Sequence, residues 1–397
     1  MSGEYLAPGV YVQEVPTGGH PIEGVSTSGK GGSTSSTAFI DIFQQGPLNK
    51  AVQITSFAEF ERAFGGLDAR SEAGFAIQQY YLNGGRIAWV VRVDDNAGAE
   101  AIVGDTAAQT GMYALEGIAP NLFNILCIPA AANLDQNSFT AVVSAAEKYC
   151  LEKRAFLIVD IPSTINTKDK MLSWMETNDC LRHRNAAIYF PRLEIPDPLN
   201  EGRLREVGAS GTLAGVYART DETRGVWKAS AGADAGLRGA NVTVQLNDSE
   251  NGALNALGIN ALRNFSKIGN VSWGARTLDG SDQEASDWKY IPVRRTALYL
   301  EESLYQGSKW ANFEPNDELL WSQIRLSFGA FMTNLLRLGA FQGTKAGDAF
   351  FIKCDGTTTT QDDIARGIVN IIVGFAPLKP AEFVVIYIQQ IAGRIGT

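Results

Sequence analysis

Between Gly24 and Ser36 the chain reads GVSTSGKGGSTSS, in which Gly24, Gly29 and Lys30 stand at the spacing of a phosphate-binding loop, G-x-x-x-x-G-K. Such a loop works because glycines let backbone N–H groups wrap phosphates, the lysine reaches the outer phosphates, and a following Ser or Thr holds the metal. Here Gly31 follows the lysine. The flanks, VPTGGHPIE and GGSTSST, supply neither a buried strand before the loop nor an apolar helix after it. Gly/Ser-rich tracts behave as flexible connectors, so residues 25–36 read as a linker and not as a nucleotide site.

The remaining chemical inventory is thin. Four cysteines (Cys127, Cys150, Cys180, Cys354) are scattered without a C-x-x-C pair, and the two histidines are His20 and His183. Zinc sites need clustered Cys and His ligands. No G-x-S-x-G elbow supports a nucleophilic serine. No cofactor or metal site is expected. The cysteines read as structural thiols of a protein made in a reducing cytoplasm. Asp160, at the end of AFLIVDIP, is the best catalytic candidate, because ligands of open α/β sheets bind beyond the carboxyl ends of strands. It lacks a glycine-rich turn, a second carboxylate at a recognisable spacing and a basic trio. An aspartate at a strand end is more often a helix cap or turn former, and that reading is preferred over an α/β enzyme.

Composition narrows the classes further. The chain has 397 residues, 45% hydrophobic and 19% charged, enough for two or three domains with large cores. A net charge of -9 argues against duplex nucleic acid as the main partner. No apolar run reaches the 18 residues or so of a membrane span, and MSGEYLAPGVYVQEV lacks the basic start and apolar core of a secretory signal.

The elements that would position any site follow from periodicity. GVYVQEV, bracketed by Pro8 and Pro16, reads as a short strand with apolar residues on both faces. It must pair with a sheet, either of its own chain or of a neighbour. STAFIDIF predicts a strand; SFAEFERAFGG predicts a helix with a Ser56/Glu59 capping box and Phe57, Phe60 and Phe64 on one face. A helix over 71–82 and the strand IAWVVRV follow. From FNILCIP to NAAIYFPRL, strands alternate with helices, which argues for a parallel, helix-covered sheet. Residues 201–281 read as ordered connections and edge strands. In the last hundred residues WKYIPVRRTALYLEESL predicts a strand and then a helix. A long helix from near Asn316 would bury Leu320, Ile324, Phe328, Phe331, Leu335 and Leu338. AFFIKCD, IVNIIVGF and EFVVIYIQQI predict strands, with a helical turn in TTTTQDDIARG. The chain thus carries an apolar strand at each end.

In this order the segments resemble the contractile tail sheath proteins of contractile-tailed phages, R-type pyocins and extracellular contractile injection systems. PGVYVQEVPTGGHPIEGVSTS looks like the family's opening, LAGVYARTDETRGVWKA with WGARTL like its central signature, and WKYIPVRRTALYLEESL with APLKPAEFVVIYIQQ like its closing domain. The interposed GKGGSTSS departs from the family by lengthening the arm. The resemblance implies a non-enzymatic α/β (α+β) two-domain subunit without a cofactor. It divides the chain into an arm with a donated strand (1–24), the linker (25–36), an inserted outer α/β domain (37–283), a core domain (284–380) and a terminal strand (381–397). It implies a helical homopolymer around an inner tube protein, with baseplate and terminal cap proteins as further partners, no nucleic acid and no membrane insertion, in a phage tail or phage-tail-like particle. Strand donation falls to Val10, Tyr11, Val12, Val15, Phe383, Val384, Val385, Ile386, Tyr387 and Ile388. The tube contact is assigned to Asp362, Asp363 and Arg366 of QDDIAR, which reads equally as a capped connector.

Overall fold

The computed structural model describes residues 9–12, 14, 34–95, 98–117 and 123–383. Residues 25–33 of the linker, His20, and the strand positions Val15, Val384, Val385, Ile386, Tyr387 and Ile388 lie outside those residues.

The body opens with β1 (Thr37–Asp41) and β2 (Ala51–Ile54). Helix α1 (Phe57–Phe64) starts where the Ser56 side chain accepts from the Glu59 N–H, and it stops at Gly65, whose φ of 89° suits glycine alone. The return bond of the expected capping box lands one residue earlier: the Glu59 carboxylate accepts from the Thr55 N–H and hydroxyl. Then come α2 (Ala73–Asn83), β3 (Ala88–Arg92), α3 (Ala99–Val103), β4 (Ile125–Cys127), α4 (Gln136–Glu152), β5 (Phe156–Val159), α5 (Lys168–Thr177) and β6 (Ala186–Phe190). This is the alternation that the apolar runs predict.

The next stretch holds β7 (Leu193–Pro196), β8 (Leu204–Val207), α6 (Ser210–Arg224), β9 (Asn241–Val242), α7 (Asp248–Ala256), β10 (Asn260–Phe265) and β11 (Gly269–Ser272). Here α6 corrects the expectation of connections and edge strands alone. It is a full helix, buried continuously from Ser210 to Ala218, and a helix covered on all sides shows no amphipathic stripe to read. The C-terminal part contains α8 (Ile291–Ser308), α9 (Glu318–Arg337), α10 (Ala346–Ala349), β12 (Phe350–Lys353), α11 (Gln361–Ala365) and β13 (Ile372–Phe375). The strand expected before α8 reduces to a single bridge between Arg276 and Tyr290. Pro292 sits in the first turn of α8, where its fixed φ starts a helix and no N–H is needed.

Eight strands form one sheet in the order β11-β10-β6-β5-β4-β1-β3-β2. Its central strands, β10 through β3, pair in parallel, and β11 and β2 close the edges antiparallel. Successive side chains of a strand point to opposite faces, so the sheet feeds two apolar clusters. Ile40, Val91, Leu126, Leu157 and Ile188 pack with α4 and α5 on one side. Phe39, Val90, Ile125, Ile158 and Ala187 pack with α1, α2 and α6 on the other. A third cluster joins α9 to the two-stranded sheet of β12 and β13. Leu320, Ile324, Phe328, Phe331 and Leu335 form the buried face of α9 as expected, each worth about 1.5–3 kcal/mol of burial. Leu338 does not join them: it follows the last turn and is exposed.

Candidate arm anchors and assembly surface

In a sheet of this type the crevice for a ligand opens where strand order reverses, beyond the ends of β1 and β4. Asp41 ends β1, and Asp160 follows β5. Both are buried, and each carboxylate meets the start of a helix. Asp41 accepts from the Ile42 N–H at 2.7 Å and the Ala73 N–H at 3.1 Å, at the first residue of α2. Asp160 accepts from the Ser210 N–H at 2.8 Å, at the first residue of α6, and from the Ser210 hydroxyl. The arginine nearest this constellation, Arg192, is held by Glu72 at 2.8 Å and by the Ile161 carbonyl at 2.6 Å. Space is closed as well: a Cβ on Gly208 would lie 2.3 Å from the Asp160 carboxyl carbon. The preferred reading of Asp160 as a cap therefore accounts for its geometry, and the helix it caps lies 50 residues away in sequence.

Burial pushes the Asp160 carboxyl from its ordinary 3.8 up to about 6, against the opposing Ser210 hydrogen bonds. It pushes Asp41 up to about 7 in the same way. The folded chain therefore holds these protons where the unfolded chain has lost them. Their contribution to stability is full below about pH 4 and is lost as pH rises through 6 to 7. Asp160→Asn keeps an acceptor for the Ser210 N–H and removes the titration. We expect it to flatten the pH 4–6 fall in stability by up to about 1.4 kcal/mol per pH unit. Urea denaturation at pH 4.5 and 6.5 measures this; an unchanged difference between the two would contradict the assignment.

A different set of charges holds the ends of the body. Arg294, in the first turns of α8, is 0% exposed. Its Nε donates to Asn185 Oδ1 at 2.7 Å and one terminal nitrogen donates to Glu14 at 2.8 Å, with Glu301 at 3.4 Å. Arg184 also reaches Glu14, at 3.0 Å. The next residue, Arg295, pairs with Asp221 of α6 at 2.6 Å and donates to the Thr34 carbonyl at 2.9 Å. Glu14 in the arm and Thr34 at the start of the body are thus tied to adjacent residues of one helix. Arg276, 1% exposed, grips Glu382 with two bonds of 2.8 and 2.7 Å and also holds Asp282 at 2.8 Å. Tyr290, one turn before Arg294, donates to the same Glu382 at 3.3 Å. Both chain ends are therefore clamped around the start of α8. Buried charges persist only when paired, and these three are.

The residues predicted to be donated sit just beyond the clamps. Val10, Tyr11 and Val12 lie outside every described strand, with Tyr11 and Val12 exposed. Phe383, next to Glu382, is 78% exposed and stands at the rim of a cleft of about 740 Å³. The structure does not bring the N-terminal residues together with Phe383 in a described sheet. Asp362, Asp363 and Arg366 do come together, in and just after α11. Asp363 completes a reciprocal capping box with Thr360, and Arg366 bridges Asp362 and Asp363 at 3.0 Å each. Sequence reasoning missed Glu14, Glu382 and their arginines. The available signal was two adjacent arginines at the start of an apolar helix, where the macrodipole disfavours cations.

What this geometry defines is an α/β body whose sheet-end carboxylates cap helices and whose Glu14 and Glu382 are held around the start of α8. The family model for the phage tail sheath C-terminal domain matches residues 283–391. A tail sheath protein of Vibrio phage KVP40 is 32% identical over 45% of this chain and 25% of its own length, so the chain spans about a quarter of that relative. Two solved structures match nearly end to end. The sheath complex of an extracellular contractile injection system, PVC, in its contracted state has a TM-score of 0.72 and 25% identity over 98% of this chain and 99% of that one. The helical sheath of the anti-feeding prophage, also contracted, has a TM-score of 0.74 and 28% identity over 96% and 99%. Residues 283–391 thus match the phage tail sheath C-terminal domain, and the chain as a whole is similar to subunits of contractile sheaths.

Proposed function

We propose that the chain polymerises as a helical array around an inner tube and contracts, when triggered at a baseplate, to drive the tube through a target envelope. The observation that carries this reading is the end-to-end likeness to subunits of contracted sheaths. The energy of contraction then resides in subunit interfaces, as two discrete packings of the array, with no catalytic residue required.

The joints between subunits are strands: Val10, Tyr11, Val12 and Val15 from one end, Phe383 to Ile388 from the other. The two-stranded sheet of β12 and β13 supports this. Its strands have four residues each, β13 is only partly covered, and a two-stranded sheet is marginal alone. Added strands would complete it through main-chain bonds, which tolerate sequence and need only an edge. At about 0.5–1.5 kcal/mol net per bond, one donated strand adds a few kcal/mol, multiplied along the array. The clamps at Arg294 and Arg276 fix where each arm leaves the body. On and just after α11, Asp362 and Arg366 are exposed and with Asp363 form the proposed tube contact; terminal cap proteins would close the array. Synthesis in the bacterial cytoplasm and assembly into a phage tail or phage-tail-like particle complete the reading.

Electron microscopy of the purified chain, alone and with tube protein, tests it. Hollow tubes or stacked rings of regular diameter are expected. Deleting residues 1–20 should leave a folded, soluble chain that forms none. Ordinary tubes from the truncated chain would refute strand donation, whereas no polymer from the full chain under either condition would refute the sheath role.

A further inference from the structure

The loop between α8 and α9 carries an unusual residue. Phe313 has a φ of 69°, a left-handed conformation that a bulky side chain adopts only under strain, and it is 89% exposed. No packing within the described chain accounts for that strain, and strained exposed residues concentrate where a partner binds. Trp310 before it and Leu319 after it are also exposed. The tip is acidic: Glu314, Asp317 and Glu318 follow Phe313 and are all exposed.

The cleft at Phe383 has the opposite character. Its lining includes Trp227, Trp273 and Leu338 and the cations Arg224, Lys228 and Lys379, against one carboxylate, Glu382, which Arg276 holds. At about 740 Å³ it has room for an aromatic ring with its flanking turn. Phe313 lies shortly before α9, and Leu338 lies directly after it. Twenty residues of helix, at about 1.5 Å each, separate them by about 30 Å. The acidic aromatic knob and the basic aromatic cleft thus sit at opposite ends of one rigid helix. They cannot meet within one molecule. Two different, complementary patches on one subunit make a heterologous contact, the kind that propagates into open helical arrays.

We propose that Phe313 of one subunit inserts into the cleft beside Trp227, Trp273 and Leu338 of a second copy, with Glu314 facing Lys379. This contact rests on the self-assembly reading and adds to it a side-chain interface distinct from strand donation. It sits beside Glu382, so the root of the C-terminal arm and the knob of the neighbour share one cleft.

The test compares critical concentrations of assembly, by light scattering with microscopy of the product, for the full-length chain and its variants. Phe313→Gly removes the ring and relieves the strain. Its melting temperature should be equal or higher, while its critical concentration rises tenfold or more. Glu314→Lys and Lys379→Glu should each weaken assembly at low salt, and the chain carrying both should recover most of the loss, because each reversed knob meets a reversed cleft. Normal assembly by Phe313→Gly, while the parent polymerises, overturns the knob and leaves the sheath reading intact. A double variant weaker than both singles overturns it too. If the parent forms no polymer, the sheath reading fails and this contact falls with it. If Phe313→Gly assembles normally but loses added tube protein, the knob faces the tube and the proposal is wrong.

Discussion

Arg294→Met is expected to destabilise the folded chain by about 3–5 kcal/mol, the range for removing one partner of a buried ion pair. Methionine fills much the same volume, so the loss is one of charge and hydrogen bonds. Asn185 Oδ1 loses the Nε donor at 2.7 Å, deep in the body. Glu301, whose carboxyl burial already pushes above its ordinary value, loses the guanidinium that opposes that push. The stacking of Arg294 on Trp288, 4.7 Å from the ring centre, also goes. Glu14→Gln should behave differently. Arg294 keeps Asn185 and Glu301 and the glutamine keeps an acceptor oxygen, so the fold should lose less than it does in Arg294→Met, while the arm is held more loosely. Urea midpoints at constant m-value give the first comparison. Limited proteolysis gives the second, with faster cleavage near residue 14 expected for Glu14→Gln and a smaller loss of global stability than for Arg294→Met. A cost under about 1 kcal/mol for Arg294→Met would mean that the clamp does not hold the fold.

These clamps mark the boundary of what the sequence made legible. Local signals worked where an element is half-covered. Ser56 and Gly65–Gly66 punctuate α1, the α9 stripe names its own buried face, and the run from FNILCIP to NAAIYFPRL announces a parallel sheet by alternation. They failed where burial is complete or the partner is distant. From Ser210 to Ala218 α6 has no exposed face, so GTLAGVYA looked like a fragment of a connection. The predicted strand at Tyr290 shrank to a bridge because Pro292 starts a helix two residues later. The Arg294–Glu14 and Arg276–Glu382 bonds span 280 and 106 residues, and no window of periodicity contains both partners. Asp160 shows the same limit from the other side. Its strand-end position was readable, but that its partner is Ser210 at the head of an unforeseen helix was not. The candidate site is therefore only partly legible: the arms are visible as apolar strands, and what anchors them is not.

The seam between α2 and α6 yields the second large effect. Gly211 and Gly215 lie one turn apart on α6, against the backbone of α2. A Cβ on Gly211 would sit 2.2 Å from the Ala76 carbonyl oxygen and 2.6 Å from the Ala76 carbonyl carbon; one on Gly215 would sit 2.5 Å from the Tyr80 carbonyl oxygen. These contacts are with backbone, which cannot rotate aside as a side chain can. Nor can α6 slide away easily, because Asp160 fixes its first residue and the Asp221–Arg295 pair fixes its last turns. Gly211→Ala is therefore expected to cost about 3 kcal/mol or more, the upper end for overpacking. At about 2–4 °C per kcal/mol for a unit of this size, the melting temperature should fall by about 6–12 °C. Gly252→Ala is the matched control. It too is a helical glycine, in α7, but a Cβ there meets nothing within 4 Å, so the substitution should stabilise by about 0.5–1 kcal/mol through helix propensity. The same methyl group thus has opposite signs on two helices. Because Asp221 also positions Arg295, and Arg295 holds Thr34, a displaced α6 would loosen the seat from which the N-terminal arm departs. Gly211→Ala chains that still fold should assemble poorly, and Gly252→Ala chains should assemble as the parent does. Equal melting temperatures for the two variants would show that the seam has more room than its backbone contacts allow.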